Sequence, residues 1–189
     1  MVTYYTPSLI VSFGFDENTA LIVNIILGLF MVLVTAATMP FIDKIGRKTL
    51  LFIGSVGCSV SYILVSISLS LFKDDSIGFF LCVFSIVLSI IFFNPSWGMV
   101  VWILFGEIFP LNVRGLANSI ATALSWISSL IVTFIFPILL DIIDACYLIF
   151  AFAMICFFAA LFIKFKVFET RNRTLEEIED ELRQRAGVE

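Results

Sequence analysis

Five stretches without a single charged residue, at 19–42, 49–72, 78–106, 115–140 and 145–163, fill most of the 189-residue chain. A helix needs about 20 apolar residues to cross the hydrocarbon core of a bilayer. The first four runs clear that length. The fifth reaches it by continuing past Lys164 to 168, because a lysine near a helix end can carry its ammonium back to the headgroups. Apolar residues make up 61% of the chain and charged residues 14%, against about 45–50% and about 25% in a soluble domain. A domain this small leaves much of its surface in solvent, so the solvent must be lipid. The fold class expected is an all-α integral membrane bundle of five full transmembrane helices plus a partial one. That partial helix is the apolar stretch 2–15, too short to span and read as the second half of a helix.

Nearly all charge between the runs sits in short connections at 41–48, 73–77, 107–114 and 141–144. Cytoplasmic loops carry the lysine and arginine excess. With the first and third connections and the C-terminal tail on one side, that side holds ten of the 11 basic residues, and only Lys73 lies opposite. This asymmetry places the N-terminus outside and the C-terminus in the cytoplasm. Pro7 interrupts the first apolar stretch and no basic region precedes it, so no secretory signal is expected.

The remaining composition removes several function classes. Histidine is absent, which takes away the commonest acid–base and metal residue. Cys58, Cys82, Cys146 and Cys156 fall within or at the edge of apolar runs and read as small hydrophobes, with no disulfide framework and no metal site. No carboxylate lies inside the five runs, so an enzyme and a cofactor are not expected, and the charge balance describes a polar tail, so a nucleic-acid partner is not expected either. The net charge of −4 owes much to the last 21 residues, 169–189, which hold seven of the 15 acids. There Thr174 and Glu177 form a capping box. Leu175, Ile178 and Leu182 share a face, and Glu179–Arg183 and Glu181–Arg185 are i,i+4 pairs. The expectation is a bundle over 1–168 followed by a short amphipathic cytoplasmic tail.

Polar groups at membrane depth must find partners or line a cavity. The run 78–106 contains Asn94, Pro95, Trp97, Gly98 and Trp102. Proline removes a backbone donor and kinks the helix, and a broken helix carrying an amide and an indole is a common build for a transporter site. The plainer reading is a kinked helix with Trp97 or Trp102 packed on neighbours. Trp126 lies near the middle of its own run. An indole offers a flat apolar face to the C–H side of a sugar ring and one N–H donor. In the first loop Asp43, Lys44, Arg47 and Lys48 surround Gly46, and Glu107 and Arg114 flank the third. These charges suit a cytoplasmic gate held by ion pairs. The bases alone would serve topology and headgroup binding, but the acids sit where that rule does not need them.

These residues carry a resemblance. Asp43-Lys44-Ile45-Gly46-Arg47-Lys48 resembles the D-x-x-G-R-[RK] loop of the major facilitator superfamily. Glu107-Ile108-Phe109-Pro110, followed by Arg114-Gly115, resembles the E-I-F-P-x-x-x-R-G signature of its sugar porter branch, the hexose facilitators and xylose–proton symporters. Phe168-Glu169-Thr170 and Thr174-Leu175-Glu176-Glu177-Ile178 are similar to the branch's P-E-T…S-L-E-E-I tail, and Tyr4-Tyr5 resembles its paired seventh-helix tyrosines. The resemblance implies the C-terminal six-helix bundle, beginning inside helix seven. It implies substrate contacts at Tyr4, Asn94, Gly98, Trp102 and Trp126, and a salt-bridge network of Asp43, Arg47, Glu107 and Arg114.

The chain departs from the family where Gly98-Met99 replaces Gly-Pro, where Ser125 precedes the eleventh-helix tryptophan in place of an amide, and where Met31 stands at an eighth-helix position that often holds asparagine. The partners implied are a sugar or polyol, membrane lipid and an N-terminal bundle, without which this chain is not expected to transport. Facilitated diffusion and proton symport both stay open, because the proton-linked acid resembles a first-helix aspartate. The alternatives are a major facilitator exporter of drugs or organic ions and a non-transporting membrane fragment.

Overall fold

The computed structural model describes residues 6–7, 10–11, 16–71, 76–109, 113–167 and 169, apart from the side chains of Phe41, Asp43 and Ser76. Tyr4 and the tail from 170 to 189 lie outside the described residues. The elements are α1 (Glu17–Ile45), α2 (Arg47–Leu71), α3 (Ser76–Phe93), a π-helical segment (Asn94–Val100), α4 (Val101–Ile108), α5 (Arg114–Ile142) and α6 (Ala145–Lys166). No strand occurs among the described residues. Counting α3, the π segment and α4 as one run, five helices among the described residues are long and apolar enough to cross a membrane.

In lipid, helices gain little by burying apolar surface against each other, so small residues and hydroxyls decide where they meet. The α2 helix is the centre of this bundle for that reason. Ser59 Oγ donates to the Ala153 carbonyl at 2.9 Å and Ser66 Oγ to the Cys146 carbonyl at 2.8 Å, fastening α2 to α6. On the other flank Ser68 Oγ donates to the Gly78 carbonyl at 2.5 Å, fastening α2 to α3. Cys58, Tyr62 and Val65 of α2 pack with Cys82, Ile86 and Ile90 of α3 and with Ile149 and Ala153 of α6. All four cysteines are free thiols.

Two glycines let the broken helix come close to α2. A Cβ on Gly54 would collide with the Ser96 side chain, and one on Gly57 with the Phe92 ring. At the other end of the bundle Ile42, Leu51, Val100, Leu104 and Ile163 form a second apolar cluster. Among the described residues the α5 helix shares little in this scheme, and Phe136 is its one buried residue. The Phe136 and Phe152 rings, 5.8 Å apart, mark where it meets α6.

Candidate functional site: a cavity beside the broken helix

Pro95 interrupts the third run as its chemistry requires, and the backbone answers with a seven-residue π segment. Side chains re-engage the carbonyls around the break. Ser96 Oγ bonds the Phe92 and Phe93 carbonyls at 2.6 and 3.2 Å, and Asn94 Nδ2 donates to the Ile90 carbonyl at 3.2 Å. The Trp97 indole donates to Ser55 Oγ at 2.9 Å, and that hydroxyl in turn donates to the Leu51 carbonyl at 2.8 Å. A π turn inside an α-helix frequently marks a functional position.

Beside this segment lies a cavity of about 640 Å³, within the roughly 300–1,000 Å³ usual for small-molecule sites. Gly98 and Trp102 of the broken helix line one side, Trp126 with Ser125 and Ser129 of α5 another, and Asn24, Gly28 and Met31 of α1 a third. Trp102 is 43% exposed and Trp126 63% exposed, so both indoles have free faces to offer. The Trp102 ring is held edge-on by Phe105 at 5.9 Å. No charged side chain lines the cavity among the described residues.

The sequence candidates divide accordingly. Gly98, Trp102 and Trp126 share the cavity. Asn94 is 4% exposed, does not line it, and sits behind Gly98, where its Oδ1 would lie 3.4 Å from an added Cβ. Its amide supports the π turn. Asn24, Gly28, Phe93 and Ser129 line the cavity without having been expected there. A signal was present for Asn24: it is the single amide inside its run and lies four and seven residues before Gly28 and Met31, on one helical face.

The charged candidates assemble at the opposite end of the broken helix. Arg47 Nη2 lies 3.2 Å from Glu107 Oε1, with the side chains 15% and 22% exposed. Each charge sits at the helix end where the macrodipole disfavours it, arginine in the first turn of α2 and glutamate in the last turn of α4. Their mutual attraction offsets that. Glu169 adds a contact the sequence reading did not assign. Its carboxylate accepts from the backbone amides of Arg47 at 2.8 Å and Lys48 at 3.2 Å, capping the positive end of α2. Gly46, with φ +98°, makes room, since a Cβ there would lie 2.7 Å from Glu169 Oε2. Arg114 Nε donates to the Phe109 carbonyl at 3.2 Å, and the Asp43 side chain lies outside the described residues.

Comparison with known proteins bears on the family and the fold. The family model for "Sugar (and other) transporter" matches residues 1–182. A D-xylose transporter of Levilactobacillus brevis is 40% identical over 98% of this chain, and the glucose transporter GlcP of Staphylococcus epidermidis is 36% identical over 99%. The chain spans 41% and 42% of the length of these two relatives. Among solved structures, the major facilitator proton:xylose symporter XylE bound to 6-bromo-6-deoxy-D-glucose superposes with a TM-score of 0.82 at 30% identity, covering 95% of this chain and 38% of that one. The inward open form of XylE from E. coli gives a TM-score of 0.76 at 28% identity, covering 95% of this chain and 41% of that one. With its five apolar helices, its broken helix and these matches, the chain belongs to the sugar transporter family of the major facilitator superfamily, a family of multi-pass membrane proteins.

Proposed function

We propose that this chain forms one wall of the path by which a sugar or related polyol crosses a membrane through alternating access. The observation that carries the reading is the uncharged cavity shared by Trp102 and Trp126. A neutral, hydroxyl-rich solute fits it: indole faces take the C–H side of a ring, and the described residues that line it offer no charge for an organic ion. Support comes from relatives named as D-xylose and glucose transporters and from the symporter structure holding a glucose analogue. Residues 1–168 form the bundle and 169–189 a cytoplasmic amphipathic tail, with the N-terminus outside, in keeping with the lysine and arginine asymmetry. Tyr4 and Gly98 join the two tryptophans at the substrate, and Asn94 acts by holding the π turn. The Arg47–Glu107 pair, with Asp43 and Arg114, closes the cytoplasmic side. Among the described residues no carboxylate lines the cavity.

The second wall of such a path comes from a partner bundle. The test joins this chain to the unmatched segment of the Levilactobacillus brevis xylose transporter and measures uptake of labelled D-xylose and D-glucose into membrane vesicles. Saturable uptake, reduced at least tenfold by Trp102→Ala, is expected. A membrane-inserted chimera that takes up neither sugar overturns the reading.

A further inference from the structure

Asn24 is the one side-chain amide among the described residues lining the cavity. Two other polar groups that line the cavity have their protons committed. The Ser125 hydroxyl donates to the Ala121 carbonyl at 2.8 Å, and the Trp97 indole to Ser55 at 2.9 Å. No hydrogen bond joins the Asn24 amide to any described residue. An amide at membrane depth without a partner is costly unless water or a ligand completes it. Its neighbours on α1 show that the placement is directional: Ile22, Ile25, Ile26 and Leu29 are exposed on the outer faces, while Asn24 is half-buried and turned to the cavity with Gly28 and Met31.

A carboxamide offers one acceptor and two donors in a plane, whereas an indole offers one donor and no acceptor. Adjacent hydroxyls, each able to donate and accept, are the natural complement of that amide. We propose that Asn24 holds a pair of neighbouring hydroxyls on the substrate and thereby sets which polyols the cavity accepts, a role that rests on the sugar reading above. Asn24 lies seven residues from Met31 along α1, about 10 Å toward the Glu17 end. A substrate held this way turns its hydroxylated edge to Asn24 and its C–H face to the indoles. Gly28, one turn away, leaves the approach clear, since an added Cβ there would meet nothing within 4 Å.

The experiment uses the same chimeric transporter with Asn24→Leu, which removes all three hydrogen-bonding groups at similar volume, and Asn24→Ser, which keeps polarity but shortens the reach. Uptake of D-xylose, D-glucose and their monodeoxy analogues is measured for each. Losing even one of these hydrogen bonds raises the KM about 3- to 10-fold in both variants, and the rise is smaller for the two monodeoxy analogues that each lack one of the hydroxyls Asn24 holds. If the parent takes up sugar while both variants keep its KM and its ranking of analogues, Asn24 is excluded and the sugar reading stands. If the inserted parent takes up no sugar, both fall together.

Discussion

The indole of Trp97 and the hydroxyl of Ser55 meet at 2.9 Å, joining the π segment to α2 where the third span is broken. Ser55 is fully buried and relays the bond to its own helix through the Leu51 carbonyl. Ser55→Ala leaves the indole N–H without an acceptor. Interhelical hydrogen bonds in bilayers average about 0.6 kcal/mol with a maximum near 1.7, so a loss of about 1 kcal/mol is expected. In detergent-solubilised protein this lowers the Tm by roughly 2–4 °C. Trp97→Phe should cost a similar amount through this bond, and the double variant less than the sum of the two. Additive losses, read by circular dichroism, would show the bond contributes nothing.

Glycine substitutions should separate by sign. Gly54→Ala drives a methyl into Ser96 and the backbone of Phe92, and Gly57→Ala drives one into the Phe92 ring. Each is expected to destabilise by about 1–3 kcal/mol, as overpacking does. Gly106→Ala meets nothing within 4 Å and removes a flexible residue from a helix, so it should be neutral or stabilising by up to about 1 kcal/mol. Thermal unfolding of the three variants decides, and equal shifts would refute the close approach of the broken helix to α2.

Gly46 and Glu169 form a thermodynamic pair. Glu169→Ala strips two backbone amides of their acceptor and should cost about 1 kcal/mol, the usual loss for a helix cap. Gly46→Ala suffers both from φ +98° and from contact with the Glu169 carboxylate. Because the second part disappears when the carboxylate is gone, the double variant should be more stable than additivity predicts by at least about 0.5 kcal/mol.

The Arg47–Glu107 pair predicts compensation of a different kind. Glu107→Gln and Arg47→Gln each leave one partly buried charge without this partner, 15% exposed for the arginine and 22% for the glutamate. Each single change should destabilise by about 1 kcal/mol, and the double change by less than either doubled. Repeating the measurement at high salt should shrink the coupling, since screening weakens ion pairs with access to water.

Much of the architecture was legible because lipid imposes a simple rule on length and charge. The five uncharged runs are bounded by residues such as Asp43, Lys73, Arg114 and Lys164, and the described spans turn or stop near the same positions. Pro95 announced the break, but not its form. Whether a proline yields a kink or a π turn depends on which side chains re-engage the carbonyls, here Ser96 and Asn94. The bond from Asn94 Nδ2 to the Ile90 carbonyl belongs to that local geometry and to no sequence pattern. Asn24 went unassigned for another reason: one amide in an apolar run gains meaning only when the faces of α1 are known. The Glu169 cap joins residues 122 apart in the chain, a distance at which no local pattern speaks.

The low burial of α5, whose one buried residue is Phe136, bears on how such a protein is made. A spanning helix satisfies its own backbone bonds within the bilayer, so α5 needs no neighbour to be a complete helix there. It can leave the translocation machinery finished and dock afterwards. The wall that carries Trp126 is then positioned by assembly instead of by synthesis, and substitutions on its lipid face should register in the yield of inserted chains before they register in the melting of the bundle.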